Sequence, residues 1–180
     1  MSSNALDLRT LSIGLLLARV IIGLLMAAHG TQKLLGWFGG YGLEKTGGFF
    51  EQLRFRPGRA FAAAASLSEI ASGLLVALGF LGPVGPALMI SVMIVAAVSV
   101  HWGHGLFAAT NGIELPLLYA TLALALALIG PGQYSLDAWL GITDLWTPTV
   151  TLIVLGLGIV GGFANLSLRR PAKLAANALP

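Results

Sequence analysis

Charged and imidazole side chains recur in this sequence inside stretches that are otherwise apolar. Arg19, His29 and Lys33 fall within the run from Leu11 to Lys33, LSIGLLLARVIIGLLMAAHGTQK, and Glu69 lies near the middle of a second run, 60–81. An arginine near the centre of a membrane-crossing helix costs roughly 2.5 to 3.5 kcal/mol, so it is expected to face a bundle interior and to meet an acid. Two outcomes follow from such a set. One is a plain Arg19–Glu69 ion pair that fixes helix register. The other is a polar intramembrane pocket in which Arg19, Glu69 and His29 act on a ligand or a proton.

The elements that must position these groups are membrane spans. Hydrophobic residues make up 57% of the 180 residues and charged residues 9%, against roughly 25% charged in a soluble domain, and the apolar runs approach the 20 residues a spanning helix needs. The runs predict spans over 11–35, 60–81, 87–102, 113–129 and 145–166. The expected fold is thus all-α: an antiparallel four-helix transmembrane bundle plus an additional C-terminal transmembrane helix. The alternation LALALAL within 113–129 reads as helix, because an isolated strand leaves its backbone unpaired in lipid. Around the spans we expect a polar arm over 1–10 and an interfacial segment over 37–59. In that segment Phe49, Phe50, Leu53 and Phe55 form an apolar side, and Arg54, Arg56 and Arg59 face headgroups. The bundle then occupies 11–140 and the fifth helix 141–168, and a basic, disordered tail covers 169–180.

Depth and face suggest partners. At about 1.5 Å per residue, Arg19 lies roughly 6 Å to one side of its span's centre and His29 roughly 9 Å to the other, with Glu69 between them on an antiparallel neighbour. Gly23, Met26, Gly30 and Lys33 share the Arg19 face, opposite the small polar stripe Ser66, Glu69 and Gly73. Alternation brings His101, His104 and Glu114 to the end where His29 and Lys33 lie. The plain reading of His101 and His104 is as interfacial side chains in a glycine-rich loop. A zinc site is disfavoured by the flanking glycines, no metal site is expected, and paired haem ligation by His29 and His101 is the less favoured alternative. Gly130-Pro131-Gly132 with Ser135 and Asp137 reads as a helix stop followed by a capped short helix. No cysteine is present, which excludes thiol and Fe–S chemistry on this chain. The net charge of +3 sits beside membrane ends, which argues for anionic lipid and against nucleic acid.

Together, Arg19, His29-Gly30 with Gln32-Lys33, Glu69, His101 before Gly105-Leu106-Phe107, Asn111-Gly112-Ile113-Glu114, and Gly130-Pro131-Gly132 with Ser135-Leu136-Asp137 resemble the DoxX family of bacterial membrane proteins over about 11–140. The resemblance implies a small four-helix membrane bundle tied to respiratory or oxidative-stress redox chemistry. A quinone is the cofactor it suggests. His29 and Lys33 would donate to the quinone carbonyls, with His101 and Glu114 at the same mouth; Trp102 would line the ring, and Glu69, tuned by Arg19, would relay protons. Alternatives are a non-catalytic scaffold that recruits soluble redox enzymes, and a small-solute or proton-coupled carrier. The expected partners are the lipid bilayer and soluble redox proteins, and Gly158 and Gly162 leave homo-oligomer formation open. Basic residues in the first connection and the tail predict a multi-pass protein of the bacterial inner membrane, with its amino terminus outside and its carboxyl terminus in the cytoplasm.

Overall fold

The structure, a computed structural model, describes residues 2–170. The segment expected as a disordered tail falls, over 171–180, outside the described residues. Among the described residues seven α-helices follow in order: α1 Ser2–Leu35, α2 Gly42–Gln52, α3 Gly58–Leu78, α4 Val84–Ala96, α5 Glu114–Ile129, α6 Leu136–Leu140 and α7 Pro148–Ser167. Residues 2–10 belong to α1, so the polar arm and the first span form one continuous helix.

Among the described residues four helical segments are long and apolar enough to cross a membrane: Leu8–Leu35, Gly58–Leu78, Val84–His104 and Pro148–Ser167. This corrects the expectation of a four-helix bundle plus a fifth transmembrane helix. The difference lies in α5. Its alternating leucines and alanines do form a helix, but of only 16 residues. At about 1.5 Å per residue that is about 24 Å, short of a hydrocarbon core of about 30 Å. Glycine and proline limit it: Gly130 takes a left-handed φ of 89° and ends it ahead of Pro131. The C-terminal helix is also no appendage. Gly158 of α7 sits so close to α4 that an added Cβ would lie 2.5 Å from the Ala87 carbonyl, and Gly162 packs on Ser91 and Ile94. These two glycines therefore serve packing within the chain.

Helix α1 meets α3 along a seam of small residues. A Cβ on Gly23 would collide with Gly73 and Ala77, and one on Gly30 with Ser66 and Ile70. Lipid offers no hydrophobic drive for helices to associate, so backbone approach of this kind supplies packing contacts that larger residues would forbid. Beneath the seam lies the core, in which Met26, Val76, Met89, Met93, Tyr119 and Leu155 are buried together. The seam also sets which residues of α1 and α3 are level, and hence what the buried charges meet.

Candidate functional site

At one end of the bundle, Arg19 is 4% exposed and satisfies its guanidinium with backbone. Nη1 donates to the Pro131 carbonyl, and Nη2 donates to that of Tyr134 at 2.5 Å. These carbonyls belong to the segment after α5, which Gly130 and Gly132 turn with left-handed φ values of 89° and 75°. Close by, Asp137 is fully buried and accepts from three donors: Leu81 N at 2.8 Å, Gly82 N at 2.7 Å and Trp146 Nε1 at 2.7 Å. Ser135 caps α6 as its position predicts, accepting from Ala138 N at 3.1 Å. Asp137 instead clamps the α3–α4 turn, because α6 lies across that turn and points its carboxylate at amides which the turn leaves unpaired.

At the other end, Glu69 is 2% exposed and its Oε1 accepts from Lys33 Nζ. The expected Arg19–Glu69 pair does not form. The seam explains this: with Gly23 on Gly73 and Ala77, and Gly30 on Ser66 and Ile70, Arg19 lies beside Gly79. Gly79 is ten residues along α3 from Glu69, a rise of about 15 Å. Lys33 sits only one turn beyond the level of Glu69 and reaches back along the helix.

Beside the Glu69–Lys33 pair lies a cavity of about 260 Å³. Phe49 and Phe50 of α2, Phe55 of the following turn and Phe61 of α3 form its aromatic wall, with ring centroids 5.8 Å apart for Phe50–Phe55 and 5.3 Å for Phe55–Phe61. The interfacial segment thus serves as a cover, and the residues expected on its apolar side all face this space. Its outer side is pinned by the end of α7, where Arg169 Nε donates to the Leu53 carbonyl at 3.0 Å and the guanidinium lies 5.8 Å from the Phe55 ring. From α4 come Ser91, Val92 and Val95. The helix then widens into a π-helical turn over Ala97–His101, which contributes Ser99 and His101. Such turns interrupt regular pairing and recur at functional sites.

Two buried side-chain oxygens of the cavity residues have no hydrogen-bond partner: Glu69 Oε2 and Ser99 Oγ. The other unpartnered buried atom among the described residues is Arg19 Nε. Arg19 borders a void of only about 10 Å³, about the room one water needs.

Of the residues expected at the site, Glu69, Lys33 and His101 come together and the others do not. His101 Nδ1 lies 2.7 Å from the Asn111 carbonyl; a carbonyl only accepts, so Nδ1 is the donor. His29 is level with Glu69 but faces away, with its Nδ1 3.2 Å from Gln32 Oε1 and its ring edge-on to Tyr119. Trp102 is exposed and lines no part of the cavity. Glu114 accepts from Ala108 N at 2.7 Å, closing the loop before α5. Among the described residues no three His, Asp or Glu side chains gather as a metal-binding group. Ser99 and Phe61 were missed. The available signals were the second of two hydroxyls, after Ser91, in the apolar run 87–102 and an aromatic one turn into α3.

These features define a multi-span helical membrane protein with a buried carboxylate–ammonium pair beside an aromatic-walled cavity. The DoxX family model matches residues 14–102, and the chain carries a DoxX-family membrane domain there. That stretch holds every charged group of the cavity except the α7 end. It stops short of the Asn111–Glu114 and Gly130–Gly132 motifs. No curated protein and no solved structure matches the chain.

Proposed function

We propose that this protein binds a quinone headgroup in the cavity beside Glu69 and serves as a quinone-linked component of a bacterial membrane redox system. The observation that carries the reading is Glu69 itself: a carboxylate held at 2% exposure, paired through one oxygen and left with the other unpartnered. A buried charge is costly, and one retained in a membrane domain beside an empty space is a functional group by default. The four phenylalanines suit a flat, apolar ring, and the volume of about 260 Å³ suits one headgroup with its tail left in lipid. Lys33 supplies a donor, Glu69 supplies an acceptor and a proton relay, and His101, whose Nδ1–H is taken by the Asn111 carbonyl, offers Nε2 as an acceptor. Arg19, His29, Trp102 and Glu114 drop out of the proposed set. Arg54, Arg56, Arg59 and Arg170 are exposed near the cavity end, and Arg170 N bonds the Arg54 carbonyl at 2.9 Å. Their grouping supports reading that end as cytoplasmic and the membrane as the bacterial inner membrane.

Titration of the purified protein with decylubiquinone and decylubiquinol tests the proposal. Saturable binding of at least one form is expected, and Ala65→Phe, which fills the cavity, should abolish it while the protein still melts cooperatively. Absence of binding by either form, or binding indifferent to Ala65→Phe, would overturn it. The same exposed arginines favour a second reading, a scaffold for acidic soluble redox proteins. Co-purification lost on neutralising Arg54, Arg56 and Arg59 but kept in Glu69→Gln would select it.

A further inference from the structure

We infer that the cavity recognises the reduced, hydroxylated form of its ring ligand, held at two points by Glu69 and Ser99. This rests on the quinone reading above and specifies its substrate. Native interiors leave few buried polar atoms unpaired, yet two of the three such side-chain atoms in the described residues belong to residues that line this one cavity. Nearby serines show the ordinary solution. Ser66 Oγ donates to the Ala62 carbonyl at 2.7 Å and Ser72 Oγ to that of Glu69 at 3.1 Å, the local back-bonding that helical serines adopt. Ser99 lies within the π-helical turn Ala97–His101 and makes no such bond, so its hydroxyl is left for a group from outside the chain.

The chemistry of the two atoms sets the form of the ligand. A carboxylate oxygen only accepts, whereas a serine hydroxyl either donates or accepts. With Oε1 occupied by Lys33, Oε2 requires a donor. A quinol presents a hydroxyl there. A quinone presents a carbonyl, whose lone pairs face those of the carboxylate and leave Oε2 unpaired. Lys33 lines the cavity at 36% exposure and can still donate to a carbonyl, which leaves the oxidised form residual affinity. Sites built to pair with a ligand hydroxyl discriminate strongly against analogues that lack it. A preference of at least about tenfold for the quinol is expected, which raises the midpoint potential of the bound two-electron couple by about 30 mV.

The test is anaerobic measurement of the dissociation constants of decylubiquinol, its O-methyl ethers and decylubiquinone. Wild type should bind the quinol at least about tenfold more tightly than the quinone, and methylation of the hydroxyls should remove the advantage without any change to the protein. Glu69→Gln, whose amide can donate, should abolish or reverse the preference, and Ser99→Ala should weaken quinol binding several-fold. Equal binding of the two forms, tighter binding of the quinone, or full retention of affinity by the methyl ethers would overturn the inference while leaving the quinone site standing. Absence of binding by both forms would remove the proposed function as well.

Discussion

Arg19 and Glu69 are buried charges on facing stripes of two tightly packed helices, and their surroundings differ. Around Arg19, backbone carbonyls take the guanidinium, and the neighbouring Asp137 accepts from two amides and an indole. The void against Arg19 itself has room for about one water, and a larger cavity at that end, about 620 Å³ lined by Gly82, Pro131 and Trp146, is bordered by neither Arg19 nor Asp137. Around Glu69, one oxygen is paired, the other is free, and about 260 Å³ stands open beside it. A charge held by two backbone carbonyls of its own chain, with only Nε unpartnered and no cavity large enough for a ring against it, holds structure. A charge left partly unsatisfied next to a cavity is available to a ligand. Two groups that look alike in a hydropathy plot thus divide into a clamp and a candidate site.

This division orders the effects of substitution. The largest loss of stability is expected for Asp137→Ala, which strips three buried donors of their acceptor. Denaturation in detergent should show a loss of about 3 kcal/mol or more; a loss under about 1 kcal/mol would mean that this end is no clamp. Next comes Lys33→Met, which leaves the Glu69 carboxylate buried without a counter-charge and should cost about 3 kcal/mol. Gly73→Val attacks the seam shared by both ends, since even a Cβ there would lie 2.5 Å from Ala27 N. It should destabilise by about 2 kcal/mol or more, with helix separation readable by cross-linking between α1 and α3. Glu69→Gln should change stability by no more than about 1 kcal/mol, because the ammonium it frees is one-third exposed and can extend towards water. The asymmetry between the two halves of one ion pair, seen in parallel melts, sharpens the contrast with the clamp. The smallest effect belongs to the Arg59–Glu44 pair at 3.6 Å, both partners largely exposed, where replacement should leave the melting curve unmoved.

Much of this arrangement was legible in the residues. The stripe Arg19, Gly23, Met26 and Gly30 is buried as its helical spacing requires, and it meets Ser66 and Gly73 as their small size suggested. What depth reckoning could not supply was register. Estimates from span centres assume that each helix is centred in the bilayer, yet α1 has 34 residues and extends well beyond a crossing. The contacts of Gly23 and Gly30 fix the register instead, moving Arg19 away from Glu69 and bringing Lys33 to it. Ser99 escaped notice for a related reason. Nothing in AVSVH marks the π-helical turn that keeps its hydroxyl from back-bonding, so the residue read as one more polar atom in a span. The clamp role of Asp137 was hidden because its partners come from a turn 55 and 56 residues earlier.

The contrast between a charge held by its own chain and a charge that borders a cavity is tested most directly by an experimental density map of the protein saturated with decylubiquinol. Ring density is expected between the phenylalanine wall and α4, within hydrogen-bond distance of Glu69 Oε2 and Ser99 Oγ, with the Arg19 and Asp137 contacts unchanged. Ring density at the Arg19 end, or an empty cavity beside Glu69 in the saturated protein, would contradict the assignment of site and clamp.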